Sequence, residues 1–316
     1  MKVSNTLVGQ SLALFAVAAG AAMFAARNAR GDPYPWQILK FDQQPLNNVN
    51  INGAVYNGTD EPSWAILNTA GSYSGPGVAD DFADLYNTPV VHISWWGSYL
   101  TPTGAVPTLV PNFQVTFESD VPVSSNNPFS HPGSVLLTQT LTRATTAAGP
   151  PPADQFTEQA VTSASNLFLY NGELSIPFPE TANTVYWLKI VALLPPNTTS
   201  QWGWHNRNYT LQDTLASTPP AVTPGEHNAG TAASPVWSFQ DDAVTSSFNY
   251  FPANGVVSET DYKPLFYHDG VDGPTGISSF SEDMAYQLYT PEPASLALLA
   301  AGGLGLLLKR KRMRFA

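Results

Sequence analysis

Short runs with a period of two, separated by proline and glycine, restrict this chain more than any other feature. In Phe113-Gln114-Val115-Thr116-Phe117-Glu118 three apolar residues alternate with three polar ones. In Val90 to Tyr99, Val91, Ile93, Trp95 and Tyr99 fall on one side, and His92, Ser94 and Trp96 on the other. That period belongs to strands with one face inward. Val135 to Leu141, Val185 to Leu194, Val236 to Phe239 and Met284 to Leu288 read the same way. Asn171-Gly172, between Leu167–Tyr170 and Leu174–Ile176, reads as a tight hairpin turn, because both residues tolerate positive φ. Across 316 residues there are 28 prolines, and no stretch of the body keeps helical spacing over three turns. Proline removes a backbone donor and breaks helices. The pattern predicts an all-β fold, a single β-sandwich or jelly-roll-like domain. Asp32 to Gly77 reads as an extended approach with one or two strands, and Asp213 to Ala233 and Tyr250 to Gly276 as loop-rich excursions.

The two ends differ from this body. Lys2 precedes a mostly apolar run, Leu7 to Ala26, and Ala19-Gly20-Ala21 has the small-x-small form that signal peptidase accepts. Residues 1–30 are therefore expected to be a signal peptide, with a mature start between Ala22 and Asp32. At the other end, Pro291-Glu292-Pro293 is followed by an apolar run from Ala294 to Leu308 and then Lys309-Arg310-Lys311-Arg312-Met313-Arg314. A helix of that run would rise roughly 22 Å, against a bilayer core of about 30 Å. It suits a transient membrane anchor better than a permanent one, and the basic cluster would hold its end on the cytoplasmic side. The expected organisation is a signal peptide (1–30), an extended segment (31–77), the sandwich (78–290) and a terminal sorting segment (291–316).

Charge follows the same division. Between residues 31 and 290 the basic residues are Lys40, Arg143, Lys189, Arg207 and Lys263, against 23 of the 24 acids, a net charge of −18. Such a surface repels nucleic acid and anionic lipid. The absence of cysteine removes thiol nucleophiles, cysteine zinc sites and iron–sulfur ligation.

The tail resembles the PEP-CTERM sorting signal of Gram-negative bacteria, carried by Pro291, Glu292, Pro293, the apolar run and the basic end. The resemblance implies processing by exosortase, a membrane protease-transpeptidase, and an association with extracellular polysaccharide and biofilm. The body resembles an uncharacterised domain that recurs in such proteins, over roughly residues 75 to 289. The shared stretches include Ala79-Asp80-Asp81-Phe82, His92 to Ser98, Phe117 to Pro122, Trp202-Gly203-Trp204 and Asp283-Met284-Ala285-Tyr286. It implies a sandwich and brings no assigned activity.

No catalytic set stands out. There is no H-E-x-x-H, no G-x-S-x-G and no phosphate-binding glycine loop. Asp80-Asp81 and Glu282-Asp283, with Asp241-Asp242, are candidates to converge on a calcium ion, which takes about six to eight oxygens; the plainer alternative is solvated acids at strand ends. Asp269-Gly270-Val271-Asp272-Gly273 alternates oxygen donors but lacks EF-hand spacing. Trp96, Trp202, Trp204, Trp237 and Tyr209 would serve either as a sugar-stacking platform or as core filling. His92, His131, His205, His227 and His268 are scattered, with no zinc-like spacing. No pair of carboxylates is singled out for glycoside hydrolysis. The expected role is that of an exported surface or matrix protein without catalysis or required cofactor. A carbohydrate-binding module and a secreted hydrolase are the alternatives.

Overall fold

The computed structural model describes residues 37–100, 107–122, 124, 129–145, 151–161, 166–211, 213–217, 228–231, 234–237, 243–277 and 282–292. The strands run β1 (Gln37–Gln43), β2 (Val49–Ile51), β3 (Ala54–Tyr56), β4 (Asp60–Pro62), β5 (Trp64–Leu67) and β6 (Tyr73–Phe82). They continue with β7 (Val90–Leu100), β8 (Asn112–Val121), β9 (His131–Arg143), β10 (Gln155–Ala160), β11 (Leu167–Phe178) and β12 (Tyr186–Leu194). The last six are β13 (Gln201–His205), β14 (Asn228–Thr231), β15 (Ser234–Trp237), β16 (Val244–Phe251), β17 (Val256–Pro264) and β18 (Tyr286–Pro291). The described residues contain no helix, and the fold is all-β.

Fourteen strands form one sheet, ordered β1-β18-β7-β11-β10-β9-β8-β12-β5-β6-β16-β17, with β13 pairing both β7 and β4. The sheet folds over on itself as a sandwich. At the fold, β10 and β9 run parallel through only Gln155↔Thr142 and Phe156↔Arg143. Rings from strands that are not neighbours then meet between the two leaves. Trp95 of β7 packs edge-on against Phe113 of β8 (5.2 Å), and Phe117 of β8 stacks on Phe178 of β11 (4.2 Å). Phe41 of β1 meets Phe82 of β6 (6.0 Å). Trp95 also lies parallel to Tyr170 (5.5 Å), whose hydroxyl accepts from Trp202 Nε1 (3.1 Å). Offset and edge-on ring pairs add about 0.5–1.5 kcal/mol each to the burial of their area.

The alternating strands occur where expected, but several are covered on both faces. In β7 the polar face is also buried, with His92 at 0% and Ser94 at 2% exposure. In β8, Gln114, Thr116 and Glu118 are as dry as the phenylalanines between them. A buried cation is shared inside: the Lys189 ammonium meets Glu118 (2.5 Å) from β8 and Glu259 from β17.

Three expectations are corrected. Asn171-Gly172 is not a turn but the middle of β11, paired to β7 and β10 together. Asn171 Oδ1 accepts from Ser94 Oγ (2.8 Å), and a Cβ on Gly172 would lie 2.5 Å from Leu141 Cδ1 and 3.0 Å from Trp95. Glycine is there to clear the Leu141 side chain and the Trp95 ring. The Asn-Gly turn belongs instead to Asn52-Gly53 (φ 54° and 90°), which joins β2 to β3. Second, the segment before Val78 supplies β1 to β5 and the start of β6, with β1, β4 and β5 paired into the main sheet. Third, β17 occupies the region read as loop. It pairs on one side only and is largely exposed, so its sequence is polar and lacks an apolar alternation.

The signal peptide (1–30), the apolar run from Ala294 to Leu308, Asp241-Asp242, His227 and the side chain of Trp237 lie outside the described residues. Among the described residues no helix is long and apolar enough to cross a membrane.

Candidate functional site

β13 carries the chain from the aromatic core into a polar seam. Trp202 and Trp204 are wholly buried, and His205, Asn206 and Arg207 follow directly. On one side β4 pairs with β13, setting Asp60 opposite His205 and Glu61 opposite Trp204. On the other side residues 283–285 run antiparallel to 205–207: Arg207 N donates to Asp283 O and Ala285 N to His205 O (both 2.7 Å). Acids from four separate parts of the chain thus gather around one basic stretch.

Each basic or amide group there has a distinct partner. His205 Nδ1 meets Asp60 Oδ1 (2.8 Å). Burial works against its charge, but the Asp60 carboxylate outweighs this and holds the imidazole above its usual pKa. Arg207 Nη1 meets Asp283 Oδ2 (3.3 Å). Asn206 Nδ2 donates to Glu282 Oε1 (3.1 Å) and Thr59 Oγ1 (3.3 Å). Asp80 accepts from Met284 N (2.8 Å); burial and then Asp283 push its carboxyl well above the ordinary range, against the pull of Arg207.

At the outer end of this seam is a cleft of about 580 Å³, lined by Glu61, Leu265, Phe266, Tyr267, His268 and Glu282 among others. A carboxylate oxygen of Glu61, one of Glu282 and a ring nitrogen of His268 lie within 4.8 Å of one another. His268 is 56% exposed, whereas Glu282 is fully buried. Asp272, buried beneath the imidazole, accepts from His268 N (2.7 Å) and Thr59 Oγ1 (3.1 Å), and its Oδ2 lies 3.2 Å from His268 Nδ1. Burial pushes the Glu282 carboxyl well up, and Glu61 and Asp272 add to the shift. Burial also raises Glu61, against the attraction of His268. The second Glu282 oxygen, Oε2, is buried with no hydrogen-bond partner.

The candidate residues are redistributed accordingly. Asp80, Asp81, Glu282 and Asp283 are not solvated acids: all four are wholly buried. Asp80 and Asp283 do converge, but beside the Arg207 cation rather than around an open cavity. In the Asp269–Gly273 loop, Asp269 Oδ1 accepts from Gly276 N and Ile277 N (both 2.8 Å) and Asp272 turns inward, so the alternating donors do not face one ion. Trp96, Trp202, Trp204 and Tyr209 are buried, which removes them as a sugar platform. Of the histidines, His268 alone joins two carboxylates at a cleft among the described residues. Glu61 carries no signal of its own in the sequence. It stands in the turn-like Asp60-Glu61-Pro62 and meets His268 only because β4 pairs with β13.

Fold and ends together define the class: an all-β sandwich with a sorting segment attached to its last strand. The chain belongs to the family described as Domain of unknown function (DUF7901), whose model matches residues 39–249, more than half of the chain. The PEP-CTERM protein-sorting motif matches residues 290–312, which makes this an exported, exosortase-processed protein of Gram-negative type. No curated protein and no solved structure matches the chain. The family match starts within β1, well before residue 75, and ends within β16. It therefore includes Glu61 and leaves out His268 and Glu282.

Proposed function

We propose that this protein is a non-catalytic component of the cell surface or extracellular matrix, delivered there by exosortase and acting through structure or adhesion. The observation that carries this reading is the junction of body and sorting motif. β18 ends at Pro291, the first proline of Pro291-Glu292-Pro293, and Pro291 pairs with Gln37 at the start of β1. The first described strand and the sorting motif thus leave the sandwich side by side, with no spacer. Both expected hydrophobic ends would emerge at one edge and hold the body against the membrane until they are cut. Once cut, a body of net charge −18 between residues 31 and 290 is repelled by anionic lipid, which favours departure into the matrix.

The test is fractionation of a host that carries an exosortase. The expected result is a surface or matrix fraction lacking both ends, with a mature start between Ala22 and Asp32, as signal peptidase would leave it. Glu292→Ala should stay in the membrane uncut. Intact chain in the cytosol, or equal processing of Glu292→Ala, would overturn the sorting part. The released body should neither be retained on a glycan array nor shorten polysaccharide. Retention would make it a carbohydrate-binding module, and cleavage lost in Glu61→Gln would make it a hydrolase.

A further inference from the structure

We propose that Glu61, His268 and Glu282 form a binding site for a first-row divalent cation of the zinc type, with a position left open to the cleft. The inference is separate from how the protein is sorted. Three observations support it.

First, the donor set is mixed and convergent, with two carboxylates and one imidazole within 4.8 Å of one another. Ligands on a tetrahedral zinc at about 2.0–2.1 Å stand about 3.3 Å apart. The set therefore has to contract when an ion binds, and the exposed His268 side chain is the member with room to move. Second, the imidazole is already oriented. Its Nδ1 lies 3.2 Å from Asp272 Oδ2, and a proton shared there leaves the Nε2 lone pair free. A buried carboxylate behind a histidine is the usual outer support of a metal-bound imidazole. Third, Glu282 Oε2 is fully buried at the cleft without a hydrogen bond, while Oε1 is held by Asn206. An unpaired buried carboxylate oxygen is costly, and a bound cation supplies the missing partner.

The arrangement also selects the ion. Asp60 is matched by His205 and Asp283 by Arg207, so those two bases are already engaged and the basic side chain that faces Glu61 and Glu282 is His268. Calcium takes about six to eight oxygens at 2.3–2.6 Å and has little use for nitrogen. Two carboxylates and an imidazole suit zinc and its neighbours. The bound ion would pin β4 to the segments around residues 268 and 282, which are otherwise joined here through Asn206 and Thr59.

The experiment is calorimetric titration of zinc into the untagged full-length chain in detergent, after stripping with a chelator, with calcium and magnesium as comparators. The expected result is one zinc per chain, bound at least tenfold more tightly than either comparator. His268→Ala and Glu61→Gln should each weaken it by at least tenfold. Asp272→Asn should weaken it about 10–100-fold, as loss of an outer-shell partner does. His131→Ala should leave it unchanged. Because His268 is mostly exposed, His268→Ala keeps the test valid if a buried variant fails to fold. Absence of zinc binding, zinc affinity unchanged in both His268→Ala and Glu61→Gln, or a preference for calcium would overturn the assignment.

Discussion

The seam between the two leaves and the seam around Arg207 are equally dry but are held by opposite means. Between the leaves, Trp95, Phe113, Tyr170 and Trp202 fill space with rings, and the main stabilisation is apolar area removed from water. Around Arg207, the buried groups are Asp80, Asp81, Glu282, Asp283, His205 and Asn206, and stability depends on each finding a partner. An aromatic seam degrades gradually as volume is lost. A charged seam fails when a single partner goes.

Paired substitutions give the sharpest measure of that contrast. Trp202→Ala should cost about 3–5 kcal/mol through the cavity it opens. Arg207→Met should cost a similar amount, about 3–5 kcal/mol, although it preserves volume, because it strands Asp283 in the interior. Chemical denaturation would measure both. If Arg207→Met costs under about 1 kcal/mol while Trp202→Ala keeps its full effect, the polar seam contributes little and the contrast fails. Gly172→Ala tests the aromatic side alone. The added methyl should cost about 1–3 kcal/mol by displacing Leu141 and Trp95; a neutral result would mean that the ring layer is loose.

The remaining test is pH dependence. Burial pushes the Glu180 carboxyl up to about 8, with Asp84 adding to the shift and Lys40 opposing it. It likewise pushes Asp213 up to about 6. The native state therefore holds protons that the unfolded chain has already released. Stability should then be highest near the unfolded values, about 4, and fall as pH rises towards 6 and then 8, by up to about 1.4 kcal/mol per pH unit for each group. The raised His205 acts in the same direction, since its contribution is lost as pH climbs through its folded pKa. Glu180→Gln should flatten the fall between about 4.5 and 8 in thermal melts. A rise in stability over that range would show that the buried acids are charged and well paired.

The aromatic seam was legible in the sequence because its signal is local. Phe113, Val115 and Phe117 alternate within one strand, and no distant residue is needed to read them. The polar seam was not. Asp80-Asp81 and Glu282-Asp283 stand beside apolar runs, where acids are ordinarily solvated. Their partners come from far along the chain: Asn206 bonds Glu282, Arg207 meets Asp283, and Met284 N bonds Asp80. The same holds for Asn171-Gly172. Its turn propensity is genuine, but the Leu141 side chain and the Trp95 ring needed the space.

The alternating runs, the scarcity of helix-compatible stretches and the ordered signals of the tail settled an all-β exported chain from the sequence alone, since each depends on residues a few positions apart. Tertiary structure decided which acids lose water, which histidine faces carboxylates and where the two ends emerge. Those outcomes depend on strands far apart in sequence meeting at a defined register, and the energy of a buried charge is set by its neighbours in space.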